Sequence, residues 1–123
     1  MGTRALTVFK NEGKTVARIY RQFDGGPEWH GKELAQIIDR KICNGFTLSD
    51  KEAGNVSNGM ECLAAHTVSK LKTEIGGIYL VSGSGYGEQH IYTVTVKDSQ
   101  VHMVVREGKK LLFSGSPAKF LTQ

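Results

Sequence analysis

From His90 to Gly115 the chain reads "HIYTVTV", "KDSQ", "VHMVVR", "EGKK" and "LLFSG": three apolar runs with two short polar links. Alternation of apolar and polar residues marks a strand with one buried face, and links this short join only antiparallel neighbours. The chain therefore closes on an antiparallel meander, so a sheet must form one layer of the fold. The opposite end carries the same signal. "TRALTVFK" and "KTVARIYRQF" alternate on either side of "NEG", a turn with a glycine free to take positive φ, which predicts a hairpin. Its second strand puts Ala17, Ile19, Arg21 and Phe23 on one side and Val16, Arg18, Tyr20 and Gln22 on the other. Arg21 thus shares an apolar face, where a cation needs an anion, a carboxylate or the sheet's rim.

Between these strand regions the spacing changes to that of helices. From His30 onward, "HGKELAQIIDRKI" places Leu34, Ile37, Ile38 and Ile42 on one stripe. "MECLAAHTVSKLK" does the same with Met60, Leu63, Ala64, Thr67, Val68 and Leu71, and its late lysines complement the helix dipole. The polar segment between them is a loop with a short helical turn at "LSDKEA"; "IYLVS", at 78 to 82, is a further strand, and "SPAKFL" a short closing helix or edge segment. The order β-β-α-α-β-β-β-β describes an α+β fold, an antiparallel sheet with two helices packed on one face. A chain of 123 residues supports one such domain, residues 1–123.

No stretch approaches the roughly 18 consecutive apolar residues of a membrane span, and "MGTRALTVFKNEG" lacks the apolar centre of a secretory signal. We therefore expect a cytoplasmic protein without a membrane partner, its cysteines Cys43 and Cys62 free thiols. A net charge of +4 and a pI near 9.1 favour anionic partners. The cations are dispersed along the chain rather than gathered into a run, which argues against an extended nucleic-acid groove and for a compact anion met by a few side chains.

The passage "YRQFDGGPEWHGKEL", residues 20 to 34, is the densest collection of candidate groups. Gly25 and Gly26 allow close approach of the backbone, Pro27 fixes the turn, and the helix start after it offers free N–H groups to an anion. Arg18, Arg21, Trp29, His30 and Lys32 surround that point in sequence. The plain structural reading is that Asp24 bonds its own turn, His30 caps the helix and Trp29 staples its first turns. A second candidate is "SGSGYGEQH": Gly83, Gly85 and Gly87 resemble half of a phosphate loop, but a strand follows where that fingerprint needs a helix. It is then a hairpin loop carrying Tyr86, Glu88 and His90, mobile or folded over a ligand as a lid. Cys62 and His66 stand at a ligand spacing with nothing to complete a metal site, so no metal and no cofactor is expected. Asn58 before the second helix reads as a cap. No hydrolase elbow is present.

"MGTR" at the start, "YRQFDG-P--HG-EL" in the middle and "NGM-CLAA" at the second helix together resemble a family of small, largely uncharacterised bacterial and phage proteins. Members of that family carry a tyrosine where this chain has Gly26, a difference Trp29 could make good in space. The resemblance implies a phage-type or mobile-element protein that acts by binding host components, and it carries over no catalytic residue.

The first functional expectation is a binding protein that sequesters or senses a small anionic ligand of nucleotide type. Arg4, Tyr20, Arg21, Asp24, Trp29, His30, Gly85 and Tyr86 would form the site: Arg or His for phosphate, Trp29 or Tyr20 for stacking, Asp24 for ribose or base donors. A homodimer would complete such a pocket across an interface. A second expectation is an inhibitor or bridging module that acts on a host protein through a strand edge or Trp29. A third is a small hydrolase with Asp24 and His30 as acid and base.

Overall fold

The computed structural model describes residues 2–123, and the N-terminal hairpin forms as expected from β1 (Ala5–Asn11) and β2 (Lys14–Arg21). Glu12 and Gly13 both take positive φ, 52° and 80°, the two-residue turn whose twist matches that of the flanking strands. A wide helical turn over Pro27–Gly31 follows, then α1 (Lys32–Ile38), β3 (Lys41–Cys43), α2 (Leu48–Ala53), β4 (Val56–Asn58) and α3 (Gly59–Leu71). The rest is β5 (Ile78–Leu80), β6 (His90–Lys97), β7 (Gln100–Glu107), β8 (Lys110–Gly115) and α4 (Pro117–Leu121).

The α+β class holds, but the sheet is mixed rather than antiparallel. Its eight strands run β4-β3-β7-β6-β1-β2-β5, with β8 also on β7, and the pairs β1–β6 and β3–β4 are parallel. The meander of β6, β7 and β8 is as expected. The expected hairpin around Gly83–Gly87 is not: β5 pairs with β2, so residues 81–89 cross over β2 and β1 to reach β6. Alternation identifies a strand but carries no record of its neighbour, and a two-strand crossing leaves the same local pattern as a hairpin.

Four α-helices form: α1 and α3 are the two expected to pack on the sheet, α2 is the helical turn expected at "LSDKEA", and α4 resolves "SPAKFL", expected as a short closing helix or an edge segment, as a helix. Ile42 satisfies the helical stripe of α1 by spacing, yet the helix ends at Ile38 and Ile42 enters the core from β3. Spacing of four from Ile38 fits either route inward. α2 buries no residue and is held by a capping box, in which Thr47 Oγ1 accepts from the Asp50 amide at 3.2 Å and the Asp50 carboxylate accepts from the Thr47 amide at 3.0 Å. The Thr47 amide, and the Thr47 hydroxyl donating to the same carboxylate at 3.2 Å, lower the Asp50 pKa.

α1, α3 and α4 cover one sheet face. Met60, Leu63, Ala64, Thr67 and Leu71 of α3 and Leu34, Ala35 and Ile38 of α1 meet Phe9, Ile19, Tyr92, Val94, Met103 and Val105 from the strands. This is the hydrophobic core. The opposite face carries no helix, yet Leu6 and Val8 of β1 are only 2% and 7% exposed there. Central strand β1 is thus covered on both sides, on the second by neighbouring side chains and the 81–89 crossover. None of the helices is long and apolar enough to cross a membrane among the described residues.

Candidate functional site

The structure divides the expected site residues into two groups on opposite faces of the sheet. Arg21 and His30 lie on the helix-covered side. The wide turn over Pro27–Gly31, closed by Gly31 N–H donating to Gly26 O at 3.2 Å, points His30 inward and leaves Trp29 outside, 59% exposed. His30 is fully buried. Arg21 has only donors, so its 3.2 Å contact to Nδ1 makes that nitrogen the acceptor and puts the proton on Nε2, which donates to Thr7 Oγ1 at 2.7 Å. Burial first, and the Arg21 cation second, hold the His30 pKa down to about 3, so the ring is neutral.

Arg21 in turn donates to Phe23 O at 2.8 Å and to Glu33 at 3.1 Å, the one ion pair among the described residues. The carboxylate that an arginine on an apolar face requires is therefore Glu33. Tyr92 closes the corner by donating to Gly25 O at 2.7 Å, with its ring edge-on to His30 at 4.8 Å. Its phenol is pushed above the ordinary range by burial and by Glu28, with Arg21 opposing. Gly25 sits where a Cβ would come within 2.8 Å of Ala5 and the Arg4 backbone, which gives this glycine a packing reason. Beside Tyr92, His90 keeps a buried Nδ1 with no hydrogen-bond partner among the described residues, and nothing in the structure explains it.

Asp24 is exposed, with φ +60°, and its backbone oxygen accepts from the His30 amide at 3.1 Å. It joins Arg21 in lining a cleft of 120 Å³. That volume holds about four waters at ~30 Å³ each, too little for a nucleotide. With both His30 nitrogens engaged and the ring sealed, the chemistry of this corner is structural: a polar bolt between β1, β2 and the start of α1.

Arg4, Tyr20, Gly85 and Tyr86 meet on the other face. Tyr20 on β2 pairs with Tyr79 on β5, ring centroids 6.1 Å apart, and the crossover lays Tyr86 against Tyr20 at 5.3 Å. Tyr79 and Tyr86 are 44% and 40% exposed and flank a cleft of 340 Å³ that Gln22, Leu80 and Val81 complete. The crossover is tied down along its length. Glu88 accepts from the amides of Gly85 and Tyr86 at 3.2 and 2.9 Å, Arg4 O accepts from Gln89 and His90, and Arg18 donates to Ser82 O at 2.9 Å. Gly85 and Gly87 hold φ near +90° and +77°, which this winding path requires. Arg4 reaches Tyr86 O at 3.5 Å, and neither Arg4 nor Arg18 has a carboxylate partner among the described residues.

Tyr79 lines this cleft and Arg18, bonded to Ser82 O next to Val81, stands beside it; neither was among the expected ligand residues. Tyr79 is invisible as a site residue until β5 is known to pair with β2. Arg18 was legible by its alternation with Tyr20. A third polar centre surrounds Arg40, which donates to Ser57 Oγ at 3.0 Å, to Gly54 O and Val56 O at 2.9 Å and to His66 Nε2 at 3.0 Å. Burial, then Arg40 and Lys70, lower the His66 pKa. The 270 Å³ cleft beside it, lined by Phe46, Asp50 and Cys62, therefore faces an arginine already committed to the fold. A larger cleft of 570 Å³ carries Glu12, Glu61 and Asp98, which repel an anion. Among the described residues no group of three or more His, Cys, Asp or Glu is placed to hold a metal ion.

Comparison with protein families, with curated proteins and with solved structures finds no match to this chain in any of the three.

Proposed function

We propose that this protein binds a small anionic ligand bearing an aromatic ring, a nucleotide in the first instance, in the cleft between Tyr79 and Tyr86. The observation that carries the reading is the set of three tyrosines around a 340 Å³ space with two guanidinium groups beside it that have no carboxylate partner among the described residues. The volume lies at the lower end of the roughly 300–1,000 Å³ that ligand sites occupy. Tyrosine faces stack a base, and Arg4 and Arg18 meet phosphate through charge-assisted hydrogen bonds. Such a protein sequesters or senses its ligand without transforming it, in keeping with a small phage-type binding protein.

Thermal unfolding against a panel of nucleoside mono- and triphosphates tests this. A ligand at a hundredfold excess over Kd stabilises the fold by about 2.7 kcal/mol. Tyr79→Ala and Tyr86→Ala, both at exposed positions, remove that shift while leaving the unliganded midpoint in place. A panel that moves nothing overturns the reading. The exposed indole of Trp29 supports a second one, in which the protein anchors to a host protein; a lysate complex lost in Trp29→Ala but kept in Tyr86→Ala would favour it.

A further inference from the structure

We propose that the helix-free face of the sheet is a platform for a short single strand of nucleic acid that enters at the tyrosine cleft, passes beside the 81–89 crossover that covers β1, and continues over β6 toward β7. This rests on the nucleotide reading of the cleft and extends it. Register places Tyr79, Tyr20, Leu6, Ile91 and Arg106 in one row across five strands, and Arg18, Val8, Thr93, Val104 and Ser114 in the next. His102 and Thr95 extend a third, with His102 Nε2 at 3.0 Å from Ser114 Oγ. No open-face position in these rows holds a carboxylate, and Glu88 in the crossover is already bound to the Gly85 and Tyr86 amides. A base-stacking end with cations along a carboxylate-free track is the chemistry that holds a single strand through stacking and phosphate contact.

The central apolar residues of this face, Leu6 and Val8, are already buried and Ile91 and Val104 are half-buried; the exposed groups include Arg106, Ser114, Tyr79 and Tyr86, with Leu111 at the β8 edge. Arg106 is exposed on β7, three strand spacings of ~4.8 Å from Arg18, or ~14 Å, a distance that a mononucleotide seated among the tyrosines does not span. Three of the dispersed arginines share this surface: Arg4, Arg18 and Arg106 arrive from three different strands or their ends.

Fluorescence anisotropy of labelled octathymidylate with the full chain, compared with unlabelled dTMP as competitor, tests the platform. We expect the octamer to bind at least tenfold more tightly than dTMP. Single strands give a slope of about −0.7 in log K against log salt per phosphate neutralised, so three arginines predict about −2. Arg106→Gln should flatten that slope by about 0.7 and leave dTMP affinity unchanged. An octamer that binds no more tightly than dTMP, a salt-independent affinity, or an Arg106→Gln variant indistinguishable from wild type overturns the platform. If dTMP binding persists in those cases, the cleft reading stands alone; if neither dTMP nor any other nucleotide binds, both fall. Self-association that masks Tyr79 and is lost in Tyr79→Ala would place a second copy on this face and overturn the proposal as well.

Discussion

Acidification should destabilise this protein chiefly through His30, the histidine whose pKa the fold depresses most. In the unfolded chain its imidazole titrates near 6.5, whereas in the fold it stays neutral down to about 3, because burial and Arg21 disfavour the cation. Between those values the unfolded state holds one more proton than the native state, so stability is full above pH 6.5 and falls as pH drops toward 3. The limiting slope is about 1.4 kcal/mol per pH unit, so the loss between pH 6.5 and 4.5 is about 2–3 kcal/mol. Tyr92, edge-on to His30 and with its phenol pushed upward, is neutral across the window and does not cancel this. Urea titrations followed by far-ultraviolet circular dichroism at several pH values would measure the loss; Trp29, being exposed, is a poor reporter. His30→Gln retains an amide acceptor for Arg21 and a donor for Thr7 but cannot titrate, so its stability should vary with pH by about 2–3 kcal/mol less than wild type over the same window. His66 is also held below its ordinary pKa, so the comparison is best repeated in a His66→Gln background. Equal pH dependence in wild type and His30→Gln would refute a neutral His30 clamped between Arg21 and Thr7.

Three further outcomes are expected. Tyr92→Phe removes the only donor to Gly25 O among the described residues, in a dry corner, and should cost about 1–3 kcal/mol in urea unfolding, with no change at the tyrosine cleft. Gly25→Ala sets a methyl 2.8 Å from the Ala5 amide and the Arg4 backbone, neither of which is a flexible tip; a loss of about 1–3 kcal/mol or failure to fold follows, and a variant as stable as wild type would contradict that packing. Glu88→Gln weakens the acceptor for the Gly85 and Tyr86 amides, so nucleotide affinity should fall several-fold while the thermal midpoint without ligand moves little.

The passage from Tyr20 to Leu34 shows how far a linear reading reaches. Its strand, turn and helix are all present, and the requirement that Arg21 find an anion is met by Glu33, only 12 residues away and within the same passage. The inward turn of His30 could not be read, because whether the first turn is wound as α or wider decides which of Trp29 and His30 faces the core. Both carry an apolar body and a polar tip, and neither pattern is preferred by spacing alone. Tyr20 and Tyr86 were both legible as ligand candidates, 66 positions apart in the numbering. Nothing local tied them to each other or to Tyr79.

What the sequence determined by itself is everything set by neighbours along the chain: the terminal hairpin, the three-strand meander, the buried stripe of α3, the turn at "LSDKEA" and the α+β class. These follow from periodicity and turn chemistry, which act over a few residues. The tertiary structure alone decided that β1 runs parallel to β6, that β5 joins β2, and that residues 81–89 therefore travel across an open face instead of closing a hairpin. Strand partnership is settled by which arrangement buries the helix-facing residues of all the strands at once, a property of the whole core that no short segment records.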